Sequence, residues 1–207
     1  MNPAAALEVA DWRRQTAALY ARARERAEVD PAAAHALWRA GRDRMMRSHP
    51  QSPLPAADPM RAGGVPYWPY DPALRWTVPV EPVSRPRRLE ADTGPDGLTR
   101  LEQVGWVTLA DPVGRRVALW RLDQYGGGLF LPLRDGTAGT ASYGGGRYLL
   151  DTAKGADLGS SGPALVIDLN FLYHPSCRYD ARWACPLAPA GNIIDAPVPA
   201  GERLAPP

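Results

Sequence analysis

Four prolines fall within the eleven residues Pro50–Met60, and beyond them proline and glycine keep interrupting the chain at short intervals. Proline removes a backbone donor and clashes with the preceding helical turn, while glycine loosens any regular element. Long helices are therefore confined to the residues before Pro50, and the remainder of the chain has to be built from short strands and turns. The 23 Pro and 20 Gly make up roughly a fifth of the chain without any period, which indicates many turns in a globular protein and not a fibre.

Before Pro50 the same device appears twice. Asn2-Pro3 and Asp30-Pro31 each place a capping side chain ahead of a proline suited to the first helical position. After the first, Leu7, Trp12, Thr16, Leu19, Tyr20 and Ala23 recur at three- and four-residue steps. After the second, Ala34, Leu37, Trp38, Gly41, Met45 and Met46 do the same until Ser48-His49-Pro50. The short link at Glu28–Asp30 makes these two helices an antiparallel hairpin. Trp12 and Trp38 read as packing residues.

Residues 50–73 form an extended connector in which prolines separate Tyr67, Trp68 and Tyr70; the rings are expected to plug one end of a core. From Leu74 the period becomes two. Trp76, Val78 and Val80 alternate on a proline-limited edge strand, and strands are expected at Arg88–Ala91, Leu98–Val104, Trp106–Leu109 and Arg116–Leu122. Their separators include TGPDG (93–97) and DPVG (111–114). The fold class is therefore α+β and mainly β: a helical hairpin (1–49) and connector (50–73) beside a β-rich domain (74–207), an antiparallel sandwich or small barrel.

Composition excludes several classes. With 24 basic and 22 acidic residues the charge is nearly balanced, and the arginines before position 50 are spread along helices as solvated faces, so nucleic acid is not the expected partner. No apolar run approaches the roughly 18 residues that span a bilayer, and MNPAAALEVADWRRQ is not a secretion signal. Two cysteines without such a signal point to reduced thiols in a cytoplasm. Gly126–Gly128 and Gly144–Gly146 precede neither Lys-Ser/Thr nor a helix, so no phosphate loop and no cofactor is expected.

The chemistry-bearing residues concentrate between Leu129 and Ile194. The segments ALWRAGRDRMMRSHPQSPL (36–54), YDPALR (70–75), LPLRDGTAGTASYGGGRYLLD (131–151) and DLNFLYHPSCRYDARWACPLAPAGN (168–192) resemble, in this order, a bacterial and archaeal domain family of unknown function numbered sixteen eighty-four. The resemblance implies a cytoplasmic β-rich domain and no established activity. The chain departs from the family pattern at His174, where Asn is expected before Pro-x-Cys.

Three chemistries compete for these residues. His174, Cys177 and Cys185 offer an imidazole and two thiols to zinc, but Cys-x(7)-Cys is not a usual knuckle spacing and no fourth ligand is near, so no metal is assigned. Cys177, between His174 and Arg178, is a candidate nucleophile for a cysteine-dependent hydrolase, with His174 and Asp168 as the only candidate bases. Third, Tyr143, Arg147, Asn170, Tyr173 and Asn192 can line a pocket, the Arg147 fork matching an anionic group. The alternative for Arg147 is an ion pair with Asp135 or Asp168 that pins the glycine loops. Asp168 and Asn170 are expected on one face of a strand. Asn192 is expected in a left-handed turn, and Glu202 in a frayed tail. The expected function is a cytoplasmic domain binding a small polar or anionic molecule through the 129–192 loops, with an enzymatic role open. The alternative is a protein–protein module docking through the helices and connector, with a flat apolar patch near Trp68.

Overall fold

The computed structural model describes residues 2–94 and 97–205. Helix α1 spans Pro3–Ala27 and α2 spans Pro31–Ser48. Both caps form as the sequence implies: Asn2 accepts from the Ala5 amide at 2.8 Å and Asp30 from the Ala33 amide at 2.9 Å. Leu19, Tyr20 and Ala23 of α1 and Trp38, Gly41 and Met45 of α2 are buried. Gly41 is where the helices press together, since a Cβ there would overlap the Leu19 side chain.

Among the described residues nine strands lie beyond the helices, in two antiparallel sheets. They are β1 (Arg75–Pro79), β2 (Glu81–Pro82), β3 (Arg88–Asp92), β4 (Leu98–Leu109), β5 (Arg115–Leu122), β6 (Gly128–Leu133), β7 (Arg147–Asp151), β8 (Ser160–Ser161) and β9 (Ala164–Asp168). The larger sheet has the order β2-β4-β5-β6-β7, with β3 also on β4, and the smaller has the order β1-β9-β8. Among the described residues both orders are open paths, so neither sheet closes into a barrel. Strand β1 lies at an edge, as its prolines require. Of the TGPDG turn, Pro95 and Asp96 lie outside the described residues.

The strands expected at 98–104 and 106–109 are one strand with a bulge between Gln103 and Gly105. Gly105 does not end the strand; it permits close approach. A Cβ there would stand 2.5 Å from Val80 Cγ1 and 2.7 Å from the Glu81 carbonyl oxygen. Strand β5 is buried on both faces. Val117 and Leu119 join the core that contains Leu19, Trp38, Leu131, Leu149 and Ile167, whereas Ala118 and Trp120 join Phe130 and Tyr148 on the other side. That second face is covered in part by Tyr173 and Cys185. Each Leu-sized side chain so enclosed stabilises by roughly 1.5–3 kcal/mol, which is what holds the helices to the sheet.

The C-terminal segment is inlaid, not frayed. The Glu202 amide donates to the Leu172 carbonyl at 2.8 Å, Trp68 to the Gly201 carbonyl at 3.0 Å, and Arg203 to the Pro66 carbonyl at 2.9 Å. Val198, Ala200 and Glu202 are all fully buried. Two local expectations change as well. Asn170 lies in a 3-10 turn capped by Asp168, beyond the end of β9, and Asn192 adopts no left-handed conformation.

Candidate functional site

The residues singled out in the sequence separate into three places. Asp168 and Asn170 sit at the end of the smaller sheet. Asp168 accepts from Arg75 at 3.1 Å and from the Asn170 side chain at 2.8 Å, while Asn170 exchanges two bonds with the Asp71 backbone. Burial raises the Asp168 pKa, against the Asn170 and Arg75 contacts that lower it. Asn192 is a clamp on the larger sheet: it accepts from Trp120 Nε1 at 2.8 Å and donates to the Ala118 and Pro132 carbonyls. Its amide satisfies groups that would otherwise be orphaned beneath the loop.

Arg147 begins β7 with its side chain fully enclosed. It donates to Asp135 at 2.7 Å and to the carbonyls of Val198, Ala200 and Glu202. Trp68 lies 5.1 Å from its guanidinium and 5.5 Å from that of Arg203. The Arg147 fork is engaged by the chain's own oxygens and is not presented to solvent.

The third place brings His174 against Glu202, a residue that its position in the sequence assigns to a loose tail, with Tyr143 and Tyr173 beside it and Cys177 touching Tyr143. The Glu202 carboxylate accepts from Arg42, from the His174 amide at 2.6 Å, from Tyr179 at 3.0 Å and from Tyr67 at 3.4 Å. Burial acts to raise its pKa, but the Arg42 charge and hydrogen bond, helped by His174, hold it below the usual carboxylate value. The signal for this burial is the period-two run Val198-x-Ala200-x-Glu202, the pattern of a strand with one covered face.

His174 Nε2 accepts from the Tyr143 amide at 3.2 Å, which places the proton on Nδ1, 3.6 Å from Glu202 Oε2. Burial, against the pull of Glu202 and reinforced by Arg147 and Arg178, lowers its pKa to about 4. The ring is neutral at physiological pH, and its one acceptor nitrogen is already engaged by an amide. The imidazole thus faces Tyr143 and Glu202. Among the described residues no three His, Cys, Asp or Glu side chains converge as a metal ion needs. Cys177 and Cys185 are both free thiols, with Cys177 Sγ 3.8 Å from the Tyr143 hydroxyl.

A cleft of about 80 Å³ opens between the hairpin and β7. Tyr20 and Arg42 come from the helices, Tyr148 and Lys154 from β7 and the turn after it, and Tyr173 and Cys185 from the covering loop. Arg147 and Tyr143, expected to line a pocket, are not among its walls; His174 and Tyr173 are. Lys154 is paired with Asp151 at 3.0 Å, and Arg42 stacks on Tyr173 at 4.7 Å. The Tyr20 hydroxyl is buried with no hydrogen-bond partner among the described residues. Helical spacing marks Tyr20 as a core residue, but an unpaired hydroxyl is a property of its surroundings and leaves no trace in sequence.

An α-hairpin docked on two open antiparallel sheets, with a buried Arg42–Glu202 pair beneath a small cleft, defines an α+β domain of a recognisable type. Residues 62–203 match the family described as "Protein of unknown function (DUF1684)", and the chain belongs to it. It is also similar to an uncharacterized protein of Haloarcula marismortui whose structure was solved by NMR in solution. The two are 31% identical, the match covers 80% of this chain and 90% of the other, and the TM-score is 0.57. No curated protein matches. Among the described residues no helix is long and apolar enough to cross a membrane.

Proposed function

We propose that this chain is a cytoplasmic domain that binds a small polar molecule in the cleft between the helical hairpin and β7. The observation that carries this reading is the Tyr20 hydroxyl, buried at the cleft wall with no partner among the described residues. A buried hydroxyl without a partner costs about 1–3 kcal/mol, so a ligand group or ordered water that meets it is stabilised by the same amount. Lys154 keeps donors beyond the one that Asp151 accepts, which favours a ligand with an anionic or acceptor group. The small volume favours a compact ligand over a nucleotide-sized one.

Thermal-shift measurements over a panel of small carboxylates, phosphate and polar metabolites test it. The expected result is a rise in melting temperature with one chemical class, reduced in Tyr20→Phe and in Lys154→Gln. A panel with no stabilising compound, or a shift that both variants leave untouched, rejects this cleft as the binding site.

A further inference from the structure

A second and larger cavity, of about 370 Å³, opens where the last turns of α1 meet the smaller sheet. It shares no lining residue with the cleft beside β7. Its size falls within the roughly 300–1,000 Å³ of small-molecule sites. Ala27 from the helix, Val166 from β9, and Leu158 and Phe171 from the segments flanking the sheet make its wall largely apolar. Two arginines complete it, and the fold holds both in place. Arg24 Nη1 donates to the Asp157 carbonyl at 2.6 Å. Its stem lies across Gly159, where a Cβ would stand 2.8 Å from Arg24 Cδ, so glycine is what lets the arginine lie there. Arg75 Nη1 donates to the buried Asp168 carboxylate at 3.1 Å, across the β1–β9 pair. In both cases the fold engages Nη1 alone: among the described residues neither Nε nor Nη2 of Arg24 or Arg75 donates to a protein group. Those two nitrogens form the edge of a guanidinium that grips a carboxylate with parallel hydrogen bonds.

We propose that this cavity is a second binding site, for a compact apolar molecule carrying one carboxylate, such as a medium-chain fatty acid. The apolar body lies against Leu158, Val166 and Phe171, and the carboxylate takes the open edge of Arg24. Arg24 is the anchor because its close partner is a neutral carbonyl, with the Asp157 carboxylate 3.9 Å away, whereas Arg75 is bonded directly to a carboxylate. The ligand is apolar because four of the wall side chains offer no hydrogen bond to replace those a polar body loses on leaving water. It carries one charge because Asp157, Asp168 and the cavity-lining Glu28 accompany the two arginines, and a second negative charge would meet its like. Glu28 itself is exposed, so solvent screens its effect on a single carboxylate.

The test titrates the full chain with octanoate and follows backbone amide shifts by proton–nitrogen correlation NMR. Saturable shifts are expected at Ala27, Glu28, Ser160, Ser161 and Val166, with Thr16, Asp151 and Ser176 of the first cleft unmoved, which keeps this result separate from that of the cleft-binding experiment. Arg24→Gln is expected to weaken octanoate by about tenfold, the loss of a charge-assisted hydrogen bond. Octanol, which has the chain without the charge, is expected to bind the wild-type protein more weakly than octanoate by about the same factor. Ala27→Trp fills the cavity from the helix end and is expected to abolish the octanoate shifts at Ser160 and Ser161, with unchanged β4 and β5 amide signals showing that the fold is intact. No saturable shift with octanoate, shifts centred on the first cleft, octanol binding as tightly as octanoate, Arg24→Gln equal to wild type, or a folded Ala27→Trp protein that still binds each overturns the proposal.

Discussion

Arg42 and Glu202 stand 160 positions apart and form one ion pair, with the carboxylate fully buried and the guanidinium side chain only 14% exposed. The pair ties the second helix to the C-terminal segment, and the same carboxylate holds the His174 amide and the Tyr179 hydroxyl. Glu202→Gln keeps the shape but leaves a buried cation without its counter-charge, and Glu202→Ala also orphans the amide and hydroxyl. Removing one partner of a buried pair costs about 3–5 kcal/mol. Urea denaturation should show losses of that size for both variants, alanine the larger. A midpoint within error of wild type for Glu202→Ala would return this segment to the status of a loose tail.

Two neutral histidines make the fold acid-sensitive. Burial lowers the pKa of His174 to about 4, and that of His35, beside Arg39, to about 4 as well, from an ordinary 6.5. The unfolded chain therefore binds more protons than the native one between these values, and stability falls as pH drops from about 6.5 to about 4. Each histidine accounts for roughly 3 kcal/mol at most over that window. Glu202, with a lowered pKa, keeps its contribution above the ordinary carboxylate value and loses it only as pH falls further. Melting temperature followed across this range should decline steadily, and His174→Asn should remove about half of the decline. An unchanged slope in that variant would mean that the imidazole is not the titrating group.

The parts of the fold fixed by local chemistry are legible in the sequence. The Asn2 and Asp30 caps, the buried faces of both helices and the edge position of β1 each follow from spacing and proline. Arg147 against Asp135 is one of two readings that the same residues allow. The rest depends on what a distant segment covers: whether Trp120 faces solvent or a loop, whether Val198–Glu202 is free or inlaid, and which of two cysteines reaches a cleft. Gly105 misleads for the same reason, since its need for space comes from Val80 and Glu81, packed against it from β2 and the residue before.

Arg147→Ala should act on stability. The substitution leaves Asp135 buried without its counter-charge and three carbonyls of the C-terminal segment without their donor. The expected cost is about 3–5 kcal/mol. Arg147→Lys should recover only part of it, because a single ammonium cannot reproduce the planar fork. The check is the melting curve of both variants; a folded Arg147→Ala protein melting near the wild-type temperature would show that this guanidinium does not hold the segment down.

Asn192→Asp should be nearly as damaging as Asn192→Ala. The carboxylate keeps the acceptor for Trp120 Nε1 but replaces two donors to the Ala118 and Pro132 carbonyls with oxygens facing oxygens. Unsatisfied buried groups of this kind cost about 1–3 kcal/mol each. Hydrogen exchange offers a local check, since β5 and β6 amides flanking the clamp should lose protection before those of the smaller sheet. Equal loss in both sheets would argue against a local clamp.

Tyr20→Phe separates the cost of an unpaired hydroxyl from the benefit of a bound partner. In the ligand-free protein the tyrosine ring packs near Trp38 and Phe171, and phenylalanine preserves those contacts while removing an oxygen that has no partner. The variant should therefore be as stable as wild type or more stable by up to about 1 kcal/mol, an unusual sign for a change at a buried site. With a cleft ligand present the order should reverse, because only the wild-type hydroxyl gains from it. Denaturation with and without the stabilising compound measures both halves. A Tyr20→Phe protein destabilised by more than about 1 kcal/mol without ligand would mean that the hydroxyl already has a partner, such as an ordered water, and that the cleft is a hydration site.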